Sequence, residues 1–436
     1  MIERDTFYFR VFCITFWVLA VGNFVIDELL PTFIQLRLLI IMMADVTLIL
    51  LGLATLKEKW DKIFIIAFVA IGALSSIINR LPFILWINGY RDFIPFLFCL
   101  PIFRYFYTSL DSARFRQSFD KQLKIFLVIQ AFCVTEQFIL YGANDAGGGS
   151  LGYGYSGIIS MLIILISFYF VSKNWDPENY LRSLWNNRLY IFLMFPVLLN
   201  ETKVSFLLLV IYILLLFSIS IKSLGKILLA LPIIAVTIIG GYMVYMWATN
   251  SYNDIAEDNY IDIYLTGGSK EDVDELLELA EIAIDETDYG TDDNWTYMDI
   301  PRFVKIGLLF YALEDTPGGN IFGAGLGQLK GGSTLEVTDF VKNNPIIFNG
   351  TKVTFFQFYA TLGILGLIWV FFWFKRLIAF KTQKYKMSLN LKLFLILVCI
   401  LTFFYNDFFR YLAPVAIFYY LCFASSYPVD ENASKE

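Results

Sequence analysis

The stretch Ser156-Gly-Ile-Ile-Ser-Met-Leu-Ile-Ile-Leu-Ile-Ser-Phe-Tyr-Phe-Val-Ser172 contains no charge, and the first charged residue after it is Lys173. A hydrocarbon core of about 30 Å needs roughly 20 apolar residues in a helix, and backbone polar groups inside it must pair within that helix. Residues 156–172 therefore read as a membrane span. Working outward, the same rule predicts about twelve spans: 8–26, 33–56, 62–79, 92–107, 122–141, 156–172, 188–200, 203–221, 226–247, 352–374, 390–406 and 411–427. The segment 188–200 is short for a span, so the expected count is 11–12. The predicted fold class is an all-α polytopic membrane protein with one large helical extracytoplasmic loop.

Composition agrees. Only 17% of the chain is charged and 58% is hydrophobic, against about 25% and about 45–50% in soluble domains. The five cysteines all lie in apolar runs and read as small buried hydrophobes rather than a disulfide or zinc framework. The chain has no histidine, which removes the commonest general base and metal ligand, so no metal and no cofactor is expected. No small-residue cleavage site follows the first apolar run, which predicts a retained span.

Residues 248–351 interrupt the apolar pattern. They hold 20 Asp/Glu and 5 Lys/Arg, a charge of −15 in a chain whose net charge is −6. The expected organisation is a membrane bundle over 1–247, a large acidic loop over 248–351, a second bundle segment over 352–427 and a tail over 428–436. Alternate short loops are basic, among them Lys57/Lys59/Lys62, Arg114/Arg116/Lys121 and Lys375/Arg376/Lys381. The positive-inside rule then places both termini in the cytoplasm and the acidic loop outside. Inside the loop, Val273, Leu276, Leu277, Ala280, Ala283 and Ile284 keep helical spacing behind Ser269, predicting a surface helix. Asp285 to Asp293 reads as a solvated acidic turn, its spacing unlike an EF-hand. A second helix is expected from Ile300 to Leu313, with Pro301 in its first turn.

A few cations stand at the predicted outer ends of spans, against the positive-inside bias: Arg80, Arg91, Lys203, Lys352 and Arg410, joined by Arg302 and Lys305 from the loop. Charges at such positions usually have a partner or a role. Arginine offers a planar fork to phosphate oxygens and lysine a point charge, so together they suit a lipid-linked pyrophosphate. The competing reading is that each snorkels, or pairs with Asp92, Glu201, Asp299 or Asp407. The run Pro317-Gly-Gly-Asn-Ile-Phe-Gly-Ala-Gly-Leu-Gly327 is compatible with a backbone nest for an anion, with Gly323 and Gly325 at its centre, or with an ordinary turn. It lacks the strand and Lys-Ser/Thr context of a nucleotide loop, and no nucleic-acid partner is expected. Gly147–Gly154 reads as a flexible link. Glu136, Asp92 and Asp299 are candidate proton acceptors. Glu136 differs in lying within an apolar span, and Asp45, deeper in another, is expected to bond to a neighbouring helix.

The layout resembles the superfamily of O-antigen polymerases (Wzy) and O-antigen ligases, bacterial membrane glycosyltransferases. Four patterns carry the resemblance. Asn88-Gly-Tyr-Arg-Asp-Phe-Ile-Pro95 is similar to the arginine-containing link before the family's fourth span. Asn200-Glu-Thr-Lys-Val-Ser205 occupies the place of its Ser-Arg-Gly turn. Arg302, an apolar helix and Asn320-Ile-Phe-Gly-Ala-Gly-Leu-Gly327 resemble its arginine, helix and Pro-Leu-Phe-Gly-x-Gly-x-Gly sequence. Lys352-Val-Thr-Phe-Phe-Gln-Phe-Tyr-Ala-Thr-Leu-Gly-Ile-Leu-Gly366 resembles its His-Asn-x-x-Leu-x-x-Leu-x-x-x-Gly-x-x-Gly span opening. Lys203 stands where arginine is usual, and Lys352-Val353 where His-Asn is usual. The missing histidine counts against the ligase branch and for the polymerase branch.

The resemblance implies transfer of a growing glycan from undecaprenyl pyrophosphate to the next lipid-linked oligosaccharide, at the outer face of a bacterial inner membrane. It implies Arg302, Lys203 and Lys352 as catalytic cations on the pyrophosphate, with Arg91 near them, and a chain-length regulator as a further partner. A lipid-linked oligosaccharide flippase is the alternative of a different class, one in which repeated halves and helices broken at mid-membrane are usual.

Overall fold

The computed structural model describes residues 2–26, 34–108, 112–141, 147–152, 155–176, 179–200, 203–217, 302–329, 338–344, 347, 353–378 and 388–425. Among these the secondary structure is helical, with no strand. The long helices are α1 (Ile2–Phe24), α2 (Ile34–Thr55), α3 (Lys59–Ile78), α6 (Ser112–Tyr141), α7 (Ser156–Lys173) and α15 (Thr354–Ile378). These six are long and apolar enough to cross a bilayer. A seventh span results if α4 (Phe83–Arg91) and α5 (Ile94–Thr108), which bend by 47° at their junction, count as one. Shorter apolar helices are α11 (Lys203–Leu216), α16 (Ser388–Tyr405) and α17 (Leu412–Ala424). The chain is thus a helical membrane protein, as its composition requires. The ninth expected span, 226–247, and the acidic surface helix and turn lie outside the described residues.

Two expectations change in detail. The short segment expected over 188–200 is an apolar helical stretch, Arg188–Leu199, that breaks between α9 (Arg188–Phe192) and α10 (Pro196–Leu199), after α8 (Tyr180–Asn186). Proline at the first position of α10 has no amide to donate and starts a new helix rather than continuing the old one. The span expected over 92–107 is α5, and a further helix, α4, precedes it from Phe83, so Arg91 is the last residue of a helix at a bend and not part of an irregular link.

Aromatic packing fills the bundle. The Phe96 ring is tilted against Trp373 with centroids 4.5 Å apart and meets Phe409 edge-on at 5.4 Å, while the hydroxyl of Tyr419 donates to the Phe96 carbonyl at 3.0 Å and accepts from Trp373 Nε1 at 2.9 Å. Each buried polar tip is satisfied beside a large apolar area, which is how tyrosine and tryptophan are accommodated in cores. On the Lys173 side, Tyr420 donates to Asp120 at 2.6 Å and Lys173 pairs with the same carboxylate at 3.0 Å.

Gly147–Gly152 is not a flexible link. All six residues are buried. Gln137 accepts from the Gly149 amide at 2.7 Å and donates back to its carbonyl at 3.1 Å, and Gln130 accepts from the Ser150 amide at 2.8 Å. Ser150 in turn donates to the Ala20 carbonyl at 2.5 Å. Two glutamines of α6, two turns apart, replace the water that a glycine turn ordinarily needs.

Candidate functional site

Helix α12 (Arg302–Glu314) lies where proline and apolar spacing placed it, and leads into α13 (Gly319–Phe322) and the glycine run. Leu308, Leu309 and Leu313 form one face of α12, buried against Phe356, Tyr359 and Ala360 of α15. Lys305 lies one turn before them on that face and is 2% exposed. Arg302 and Lys203 are the first residues of α12 and α11, and their side chains lie outside the described residues, as do Lys352 and Asp299 entirely.

The glycine run is threaded between α3, α4 and α15. The amides of Ala324 and Gly325 donate to the carbonyls of Ala360 and Thr361 at 2.8 and 3.2 Å, and that of Leu326 donates to Ser76 Oγ at 3.2 Å. Asn79 clamps the loop from both sides, donating to the Gly323 carbonyl at 2.8 Å and accepting from the Gly318 amide at 3.1 Å. Ser75 donates to the carbonyls of Phe322 and Thr361. α15 is kinked at Gly363, whose φ of 60° and ψ of −153° free the Ala360 and Thr361 carbonyls from regular helical pairing. The Gly325 amide, expected to face an anion, is therefore engaged by protein, and Gly323 packs its backbone against Gly363. The run works as a lock that fixes the chain after Arg302 to the bundle.

The α4–α5 bend carries a chain of charges. Arg91 Nε lies 3.1 Å from Asp45 Oδ2 on α2, and Arg91 Nη1 donates to Asn88 at 3.2 Å. At the next residue Asp92 accepts from Arg410 Nε at 3.0 Å, and Arg410 Nη1 lies 3.6 Å from Asp407. Burial disfavours the Arg410 cation, and Asp92 and Asp407 more than offset it, so its pKa is raised above the ordinary arginine value. Arg91 and Arg410 are thus ion-paired, and so is Asp92, the nominated proton acceptor. Asp45 bonds across helices as expected. In the sequence Asp92 and Asp407 were both candidate partners for a cation and both acid candidates, and nothing local selects residue 92 as the nearer partner of Arg410.

Arg80 is different. It stands at the end of α3 with φ 52°, the only non-glycine residue with positive φ among the described residues. The amides of Arg80 and Leu81 donate to Ile77 and Ser76, closing a Schellman motif whose left-handed position normally takes glycine. Its side chain is exposed. Left-handed backbone costs a side-chain-bearing residue about 1 kcal/mol. Arg80→Gly is therefore expected to raise stability by about 1 kcal/mol, read as a higher thermal midpoint in detergent. A fall would show that the guanidinium makes contacts worth more than the strain.

Glu136, in the C-terminal half of α6, is half-buried, and its Oε2 has no hydrogen-bond partner among the described residues. That is unusual for a carboxylate in an apolar helix. No protein-family model matches the chain, and its sequence matches no curated protein.

Proposed function

We propose that the protein is a polysaccharide polymerase of the bacterial inner membrane. It would transfer a growing glycan from undecaprenyl pyrophosphate to a lipid-linked repeat unit at the outer face. One observation supports this reading most. The two most specific patterns in the resemblance, 302–327 and 352–366, are 25 residues apart in sequence and pack on each other through Gly323, Gly363 and the Ala324–Ala360 bond. Segments that form one site are expected to meet in this way.

In the proposed step, an acceptor hydroxyl oxygen attacks the anomeric carbon of the donor sugar. The bond from that carbon to the pyrophosphate oxygen breaks, and the pyrophosphate leaves with the electron pair. Arg302, Lys203 and Lys352 stabilise the charge that develops there, the kind of fixed electrostatic contribution that dominates many transfer reactions. Glu136, a carboxylate with one oxygen unpartnered among the described residues, takes the hydroxyl proton. Arg91 and Arg410 hold the α4–α5 bend through their carboxylate partners.

The bend itself favours a second reading. A helix pair broken beside paired charges is a feature of transporters, so a flippase of the same lipid-linked sugars is the competing function. Purified protein given lipid-linked repeat units in detergent separates the two, because no bilayer divides the sample. A polymerase makes dimers and longer chains there, and a flippase makes nothing. Arg302→Ala is expected to slow chain growth about 10²–10³-fold, the usual effect of removing one charge-stabilising donor. Full-rate growth by that variant, or no product from the unaltered protein, overturns the reading.

A further inference from the structure

Asp61 lies in the first turn of α3 and Arg376 in the last turn of α15. Both reach one small space of about 10 Å³, closed otherwise by Arg104 and by apolar side chains, Leu100 and Leu377 among them. Asp61 is 1% exposed and offers Oδ2 to Arg104 Nε at 2.8 Å. Its other oxygen, Oδ1, is buried and has no hydrogen-bond partner among the described residues, and the same holds for Arg376 Nε. The Arg376 guanidinium lies against Trp60, its Cζ 5.2 Å from the ring centroid. Buried polar atoms in native proteins are nearly always paired, with protein or with ordered water.

The chemistry of the two atoms limits what can pair them. The carboxylate oxygen accepts and needs a donor, while the guanidinium N–H donates and needs an acceptor. A group placed between them must do both. A metal cation or an ammonium has no lone pair for Nε, and chloride has no hydrogen for Oδ1. Water has both. One water needs about 10–15 Å³ and 2–4 polar partners, so the space admits one and nothing larger.

The place of this space in the fold gives such a water a task. α15 is kinked at Gly363, and the glycine lock fastens it to the far end of α3 through Ser75. Beyond the kink, Trp369 Nε1 donates to the Phe64 carbonyl at 3.0 Å, and Phe64 is a wall of the same space. Arg376 follows about two turns later. A water between Arg376 and Asp61 carries the α3–α15 fastening to the end of α15 and joins it, through the Asp61–Arg104 pair, to α5.

We infer that this space is a water-binding site, in which one buried water donates to Asp61 Oδ1, accepts from Arg376 Nε, and ties the end of α15 to α3 and α5.

The test uses the full chain in lipid nanodiscs and radiolytic hydroxyl labelling read by mass spectrometry. Radiolysis of a bound water oxidises the side chains against it, including those that bulk water does not reach. Leu100, 7% exposed, is the reporter. Asp61→Leu combined with Arg104→Met removes the carboxylate together with its partner, and an apolar space stays dry. Arg376→Met removes the Nε–H. Lys375→Met removes the same charge one position earlier, from a side chain that does not line the space. The expected result is oxidation of Leu100 in the unaltered protein and in Lys375→Met, and its loss in Arg376→Met and in the double variant. Thermal midpoints show whether each variant is folded. Should the variants unfold, a density map of the unaltered protein that resolves ordered water decides, with density expected within hydrogen-bond reach of both atoms. No oxidation in the unaltered protein, equal oxidation in every variant, its loss in Lys375→Met as well, or a map with Arg376 bonded directly to Asp61 overturns the inference. The transfer reading uses none of these residues and stands or falls separately.

Discussion

Gly323→Ala and Gly363→Ala are each expected to destabilise the protein by about 2–6 kcal/mol, combining strained backbone with overpacking. Gly323 has φ 70° and ψ −170°, and Gly363 has φ 60° and ψ −153°. Both conformations belong to a region that only glycine occupies readily. Space is also missing. A Cβ on Gly323 would stand 2.6 Å from the Gly363 amide nitrogen and 2.9 Å from the Ala360 carbonyl oxygen. One on Gly363 would stand 2.5 Å from the Ile321 carbonyl. Every one of these neighbours is backbone and part of the lock, so none can move aside cheaply. Gly307, in the exposed middle of α12, is the control. A Cβ there meets nothing within 4 Å, and Gly307→Ala should be neutral or stabilising by up to about 1 kcal/mol. Thermal unfolding in detergent reads all three. Wild-type stability in Gly363→Ala would mean that the kink is not needed for the glycine run to dock.

The second large effect is at the opposite end of α3. Asp61 Oδ2 and Arg104 Nε are 2.8 Å apart, with side chains 1% and 10% exposed, joining α3 to α5. Asp61 Oδ1 has no hydrogen-bond partner among the described residues. Removing one member of a buried pair leaves the other charged in an apolar setting, at about 3–5 kcal/mol. Replacing both with apolar groups of similar volume is often near neutral, because the desolvation of two ions disappears with their attraction. Arg104→Met should therefore unfold most of the population at a temperature the unaltered protein survives. Asp61→Leu combined with Arg104→Met should recover most of the loss. A double variant as unstable as the sum of its single changes would show that the two residues stabilise the bundle independently, and that the pair itself contributes little.

Two cations, Arg302 and Arg410, show why some candidates were legible and others were not. Arg302 could be placed from neighbouring residues alone. Proline precedes it and apolar residues follow at helical spacing, and α12 begins there. Arg410 could not be placed in this way. Its main partner is 318 positions away, and the choice between Asp92 and a ligand depends on where the α4–α5 bend sits. Arg91 is paired 46 positions back with Asp45, which the sequence marked as bonding to a neighbouring helix without naming the partner. The strain at Arg80 was equally hidden, because nothing about an arginine after Asn79 announces a left-handed backbone.

The helical membrane class and the presence of a helix behind Pro301 were legible in the chain alone. Those depend on apolar run length, charge and proline, which act over a few residues. Only the tertiary structure decided what the glycines and the paired charges do. A glycine run permits many backbone paths, and the kinked α15 with Asn79 and Ser75 selects one. A charge in an apolar helix requires a partner, but which partner is set by packing between helices far apart in the chain.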